Sequence, residues 1–90
     1  METILKSARE ALDTGELELA LSMLDNEKLI DNSEAHFIRG EIYYKWQKLG
    51  DSLNSFQKVL DIAPENENAK TYVVMIKNIL NFYNKELYNP

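Results

Sequence analysis

Ninety residues with ten Lys and Arg, fifteen Asp and Glu, one His and no Cys make a single domain near the small end of what folds unaided. The missing cysteines exclude a disulfide framework, a thiolate metal site and a thiol nucleophile. A net charge of −5, with pI near 4.8 and mean hydropathy −0.42, argues against nucleic acid, whose counterions a basic face must displace, and fits a soluble globular chain better than a membrane or disordered one.

Turn signals divide the chain into five segments in which apolar residues recur at three and four, so each reads as a helix. The first, 2–13, ends at Thr14-Gly15, where glycine takes the left-handed conformation that closes a helix. The second, 17–27, runs to Asp31-Asn32-Ser33, where Asn32 or Ser33 accepts backbone N–H bonds to open the third. The third, 34–48, is ended by Leu49-Gly50-Asp51, with Gly50 as terminator and Asp51 as the cap of the fourth, 52–62. Pro64 cannot continue that helix, and Asn66 opens the fifth, 67–83. A tail of 84–90 follows. No strand pattern competes, and the reading is all-α, one domain over 1–90.

The third segment carries two stripes: Ala35, Ile38, Ile42 and Leu49, then Phe37, Gly40, Tyr43 and Tyr44, with Trp46 between them. A helix apolar around most of its circumference packs on more than one side, as the middle helix of a linear stack would. Charge and aromatics divide the chain differently. Residues 1–45 hold five basic and ten acidic side chains, the second half five of each, and all nine aromatics lie at or after Phe37. The longest apolar stretch, Tyr72 to Ile76, is far short of a membrane span. The charged start has no apolar core of the kind a secretory leader needs, so no membrane is expected and the expected compartment is the cytoplasm.

Sliding the chain on itself by 32 residues sets Leu5 on Phe37, Ala8 on Gly40, Ala11 on Tyr43, Leu12 on Tyr44, Ala20-Leu21 on Ser52-Leu53 and Leu24 on Phe56. Small residues stay small and large ones stay large or grow, the mark of one packing unit used twice. The second unit carries Gly40-x2-Tyr43, then Ser52-x3-Phe56, then Pro64, twenty-four residues after Gly40. In this it resembles the tetratricopeptide repeat, W-x2-L-G-x2-Y, A-x3-F, P. The first unit matches at Ala8, Ala11, Ala20 and Leu24 without the proline. His36 and Arg39 stand where the family prefers Trp and Leu. The late Gly50-Asp51 turn predicts a longer first helix and a shorter second helix in unit two. The ending from Ile79 to Asn89 resembles that of small bacterial two-repeat members. The resemblance implies antiparallel helical hairpins in an α-α superhelix: repeat one over about 1–32, repeat two over about 33–66, a capping helix over about 67–83.

Catalytic chemistry finds little to use. His36, the one histidine, cannot form a His pair, H-E-x-x-H or triad, and its place on a packed face points to a structural role. Asp25-Asn26-Glu27 with Asp31 lacks the glycine and terminal Glu of a calcium loop. The Glu16/Glu18 and Glu65/Glu67 pairs suit helix starts. Three glycines form no phosphate loop. No catalytic, metal or cofactor site is expected. The resemblance implies instead a concave groove for a partner peptide or helix, lined by Leu5, Arg9 and Leu12, then Phe37, Glu41 and Tyr44, with Thr71 and Met75 from the cap. Arg9 and Glu41 would set orientation. A core role for Phe37 and Tyr44, covered by the cap helix, stays open beside that reading. The alternative is self-association, as a homodimer or an assembly subunit, through Trp46 and the C-terminal helix with Tyr83 and Leu87. Trp46 would either cover the core edge or mark a contact.

Overall fold

A computed structural model of the chain describes residues 2–83. Its elements in order are α1 (Glu2–Asp13), α2 (Leu17–Met23), a 3-10 turn (Glu27–Leu29), α3 (Ser33–Lys45), α4 (Leu49–Ile62) and α5 (Glu67–Tyr83). Among the described residues all regular structure is helical. The tail 84–90, with the expectations placed on Leu87 and its neighbours, lies outside the described residues, as does the side chain of Tyr83.

Two of the expected caps are in place. Asn32 Oδ1 accepts from the Ala35 N–H at 2.9 Å and Asn66 Oδ1 from the Ala69 N–H at 3.0 Å. Each satisfies a first-turn donor that the helix itself leaves open.

Three boundaries differ from the sequence expectation. The second helix stops at Met23 rather than 27. The carbonyl of its cap residue Leu24 accepts from Arg39 Nη2 at 2.8 Å, and Asn26 Oδ1 takes the Lys28 N–H to start the 3-10 turn. The third helix stops at Lys45, and Gln47, at φ 62°, supplies the left-handed residue that the sequence assigns to Gly50. Gly50 instead lies in the first turn of α4, which starts at Leu49 without a side-chain cap, so Asp51 does not cap it. The thirteen-residue α3 and fourteen-residue α4 therefore reverse the expected lengths.

The reason is a backbone motif shared by the two turns. At the end of α1, the Gly15 N–H bonds the Leu12 carbonyl and the Glu16 N–H bonds the Ala11 carbonyl; at the end of α3, Gln47 bonds Tyr44 and Lys48 bonds Tyr43. This crossed pair of bonds closes a helix through a left-handed residue, and its members are all 32 positions apart. Gly15 provides that conformation without strain, whereas Gln47 adopts it despite its Cβ.

Packing follows chain order. The helix α1 packs on α2, α3 on α4, and α4 on α5, while α3 also receives α1 and α2. The two stripes of α3 face different halves of the core. Ala35, Ile38 and Ile42 join Leu5, Ala8, Ala11, Leu12, Ala20, Leu24 and Leu29 in one cluster. Phe37 and Tyr44 pack against the other, built from Phe56, Val59, Ala69, Val73 and Ile76. Leu49, expected with the first stripe, packs on this second cluster instead because it opens α4 rather than ending α3, and Tyr43, expected with the second, joins neither cluster.

Between the helices of the second hairpin the fit is tight. A Cβ added to Gly40 would come within 2.6 Å of the Phe56 ring, which is fully buried. Ser52, also buried, donates its hydroxyl to the Gly40 carbonyl at 2.8 Å. The absent side chain at 40 and the small one at 52 let α3 and α4 approach, and the phenyl ring fills the space beside them. Burying that ring contributes about 2–3 kcal/mol by transfer alone.

Candidate docking groove

Arg9 on α1 and Glu41 on α3 occupy equivalent positions in the 32-residue register, and the structure joins them. Arg9 Nη2 donates to Glu41 Oε1 at 2.9 Å, with the two side chains 40% and 21% exposed. At that exposure the pair contributes about 0–1 kcal/mol, and its clearer consequence is to fix where the two charges stand. The described residues contain one further ion pair, the exposed Glu67–Lys70 contact at 3.5 Å.

The other expected groove residues divide into buried and accessible. Leu5 and Leu12 are 6% and 2% exposed and belong to the first core cluster. In this structure they are core and offer no groove surface, because they are the apolar stripe with which α1 packs on its neighbours. Phe37, Tyr44 and Met75 are half-buried, and Thr71 is exposed. Phe37 and Tyr44 meet a ring from the cap helix. Tyr72 stacks on Phe56 with centroids 4.3 Å apart and planes 6° from parallel, and takes Phe37 and Tyr44 edge-on at 5.8 and 5.5 Å. Offset and edge-on pairs of this kind contribute about 0.5–1.5 kcal/mol each beyond their burial. The Tyr44 hydroxyl donates to Met75 Sδ at 3.8 Å.

What stays open is a cavity of about 410 Å³ between α3 and α5, lined by Phe37, Glu41, Asn68, Thr71, Tyr72 and Met75. Among the described residues, Glu41 is its one charged lining side chain. Burial raises the Tyr72 phenol above its ordinary value, and the Glu41 carboxylate adds to the rise. Asn68 and Tyr72 were not expected at the site. Their signal in the sequence is indirect: Phe37 and Tyr44 put two aromatic rings on one face of a helix, and such a face needs a ring from a neighbour to close it.

A second cleft, of about 580 Å³, runs along the outer side of α5 past Lys70, Val74, Met75 and Asn78. Val74 is 59% exposed there. Thr71 and Met75 line both hollows.

The residues that depart from the repeat pattern hold the linker between the hairpins. His36 Nε2 donates to the Ile30 carbonyl at 2.6 Å, while Arg39 bonds Leu24. Trp46 is half-buried against the first core cluster, and the Lys48 ammonium stands 4.3 Å from its ring centroid. It covers the edge of the core. Among the described residues no three His, Asp or Glu side chains gather closely enough to hold a metal ion, and no helix is long and apolar enough to cross a membrane.

Set against known protein families, curated proteins and solved structures, the chain matches none of them.

Proposed function

We propose that this chain is a non-catalytic protein-interaction module of tetratricopeptide-like build, and that it takes a peptide or helical segment of a partner protein between α3 and α5. The observation that carries the reading is the open cavity walled by Phe37, Glu41, Tyr72 and Met75. Helical supports on both sides hold it, and aromatic rings packed on the second core line its floor. Sites of this kind, apolar with a few placed polar groups, suit the side chains of a peptide. The cytoplasm remains the compartment in this proposal.

The groove is narrower than the repeat pattern alone implies. With Leu5 and Leu12 buried, α1 contributes Arg9 at its edge. Thr71→Arg places a long side chain in the mouth of the cavity from an exposed position and leaves the core untouched. A partner segment that docks here loses binding to T71R while the variant keeps the helicity and melting of the wild type. Retention of every interaction by folded T71R would place the binding face elsewhere.

Self-association is the second reading, and the exposed Val74 in the outer cleft of α5 favours it. In a linear stack of helices, an apolar face is stable when a neighbouring helix covers it. Light scattering decides it. A mass that stays near 10.5 kDa at high concentration removes it.

A further inference from the structure

We propose that the cavity between α3 and α5 receives a basic side chain, Lys or Arg, from the partner segment, seated between the Glu41 carboxylate and the rings of Phe37 and Tyr72. The inference rests on the groove reading above and names the chemistry of its occupant.

Three observations point the same way. Among the described residues, Glu41 is the one charged side chain lining the cavity. Arg9 engages its Oε1, which leaves Oε2 for a second donor. The rings of Phe37 and Tyr72 form the adjoining wall, and an aromatic face attracts a cation most where water is partly excluded. At about 410 Å³ the space lies at the small end of binding pockets. It suits one long side chain, with Asn68 and Thr71 at the mouth to bond the backbone that carries it.

The wider charge distribution agrees. The chain carries −5 overall, and the whole excess lies in residues 1–45, the half that supplies Arg9 and Glu41. A surface of that sign draws basic partners and repels acidic ones. The nearest cation on α5, Lys70, lines the outer cleft and pairs with Glu67, so it does not neutralise the cavity.

Arg9 is the internal rival. Its guanidinium already bonds the carboxylate that the partner's cation would use, so an incoming basic group shares Glu41 with it. Removing Arg9 should therefore strengthen binding, an effect that a purely structural ion pair does not produce.

The probe is a random peptide display library panned on the wild-type chain, followed by titration of the selected peptides. The expected peptides carry Lys or Arg flanked by apolar residues. Replacing that basic residue by norleucine weakens binding at least tenfold. Arg9→Gln tightens the same peptide severalfold, and Glu41→Gln abolishes the preference for a basic over a norleucine side chain, both variants melting as the wild type does. Peptides that T71R displaces but that show no basic preference, or that select acidic residues, overturn the inference and leave the groove standing. Selected peptides that T71R does not displace, or a library that yields no binders, overturn the groove and the inference together.

Discussion

The two hairpins solve one packing problem with different residues. In the first, Ala8, Ala20 and Leu24 are all fully buried. In the second, Gly40, Ser52 and Phe56 stand at the same places in the 32-residue register. The first is assembled from aliphatic side chains of ordinary size. The second removes a Cβ on one helix and adds a ring on the other, and the vacated space holds that ring: the missing Cβ would lie 2.6 Å from Phe56. The exchange has consequences beyond the seam. The Phe56 ring continues into Tyr72 of α5, and Tyr72 into Phe37 and Tyr44, so the second hairpin and α5 together offer an aromatic wall where the first hairpin offers a closed aliphatic core. The candidate groove lies on that wall.

If the exchange is a matched pair, breaking half of it should hurt more than reversing all of it. Phe56→Ala is expected to cost about 3–5 kcal/mol, the transfer loss plus a cavity at a fully buried site. Gly40→Ala sets an overpacking cost of about 1–3 kcal/mol against a helix-propensity gain of about 1 kcal/mol. It should come out destabilising because Phe56 has no room to withdraw. Phe56→Leu alone opens a void. The double variant Gly40→Ala/Phe56→Leu copies the first hairpin and should lose less than the two single losses added, with a coupling of about 1 kcal/mol or more. Urea melts of the four proteins measure the cycle. Simple additivity would mean that the two positions do not share one space.

The same comparison shows what could be read before the fold. The five helices and the division of α3 into two stripes follow from turn residues and apolar spacing, because each half of the core needs its own face of the middle helix. The small positions 40 and 52 were also legible, since the repeat offset marks them. The end of α3 was not. Gly50 is the conspicuous turn residue in that stretch, yet the turn falls at Gln47, whose side chain gives no sign of a left-handed backbone. The repeat offset held the missing clue, because it places Gln47 on Gly15. At the groove, Arg9 and Glu41 were legible as charges on equivalent helix positions, but no spacing rule showed that they would meet. Leu5 and Leu12 were placed in the groove by the resemblance, which assigns the first helix of each repeat to a concave face, and their apolar spacing could not contradict it. Helical periodicity identifies an apolar face without saying whether a neighbour covers it.

The turns themselves provide the next test. Gly15 and Gln47 close their helices with the same pair of backbone bonds, at φ 83° and 62°. For a residue with a Cβ that conformation costs about 1–2 kcal/mol. Gln47→Gly should therefore stabilise the protein by about 1 kcal/mol, allowing for the added freedom of glycine in the unfolded chain. Gly15→Ala should destabilise it by a similar amount, although no atom lies within 4 Å of the added methyl. Opposite signs from thermal melts would establish that the turns are equivalent. Destabilisation by both would mean that the Gln47 side chain makes a compensating contact.

High pH tests the contrast between the aliphatic core of the first hairpin and the aromatic wall that α5 completes on the second, with the rings left in place. Tyr72 has its pKa raised above 10.0 by burial first and by the Glu41 carboxylate second. Above pH 10 the unfolded chain gives up this proton before the folded one does, so the folded state binds more protons and stability falls as pH rises. The contribution is fully present below pH 10 and is lost as pH climbs through the raised folded value. Tyr72→Phe keeps the stacked ring and removes the proton, so the variant should lose less stability than the wild type between neutral pH and pH 11. The first hairpin, without a tyrosine, has no counterpart to this group. Identical alkaline profiles would place the Tyr72 hydroxyl in water rather than against the buried aromatic wall.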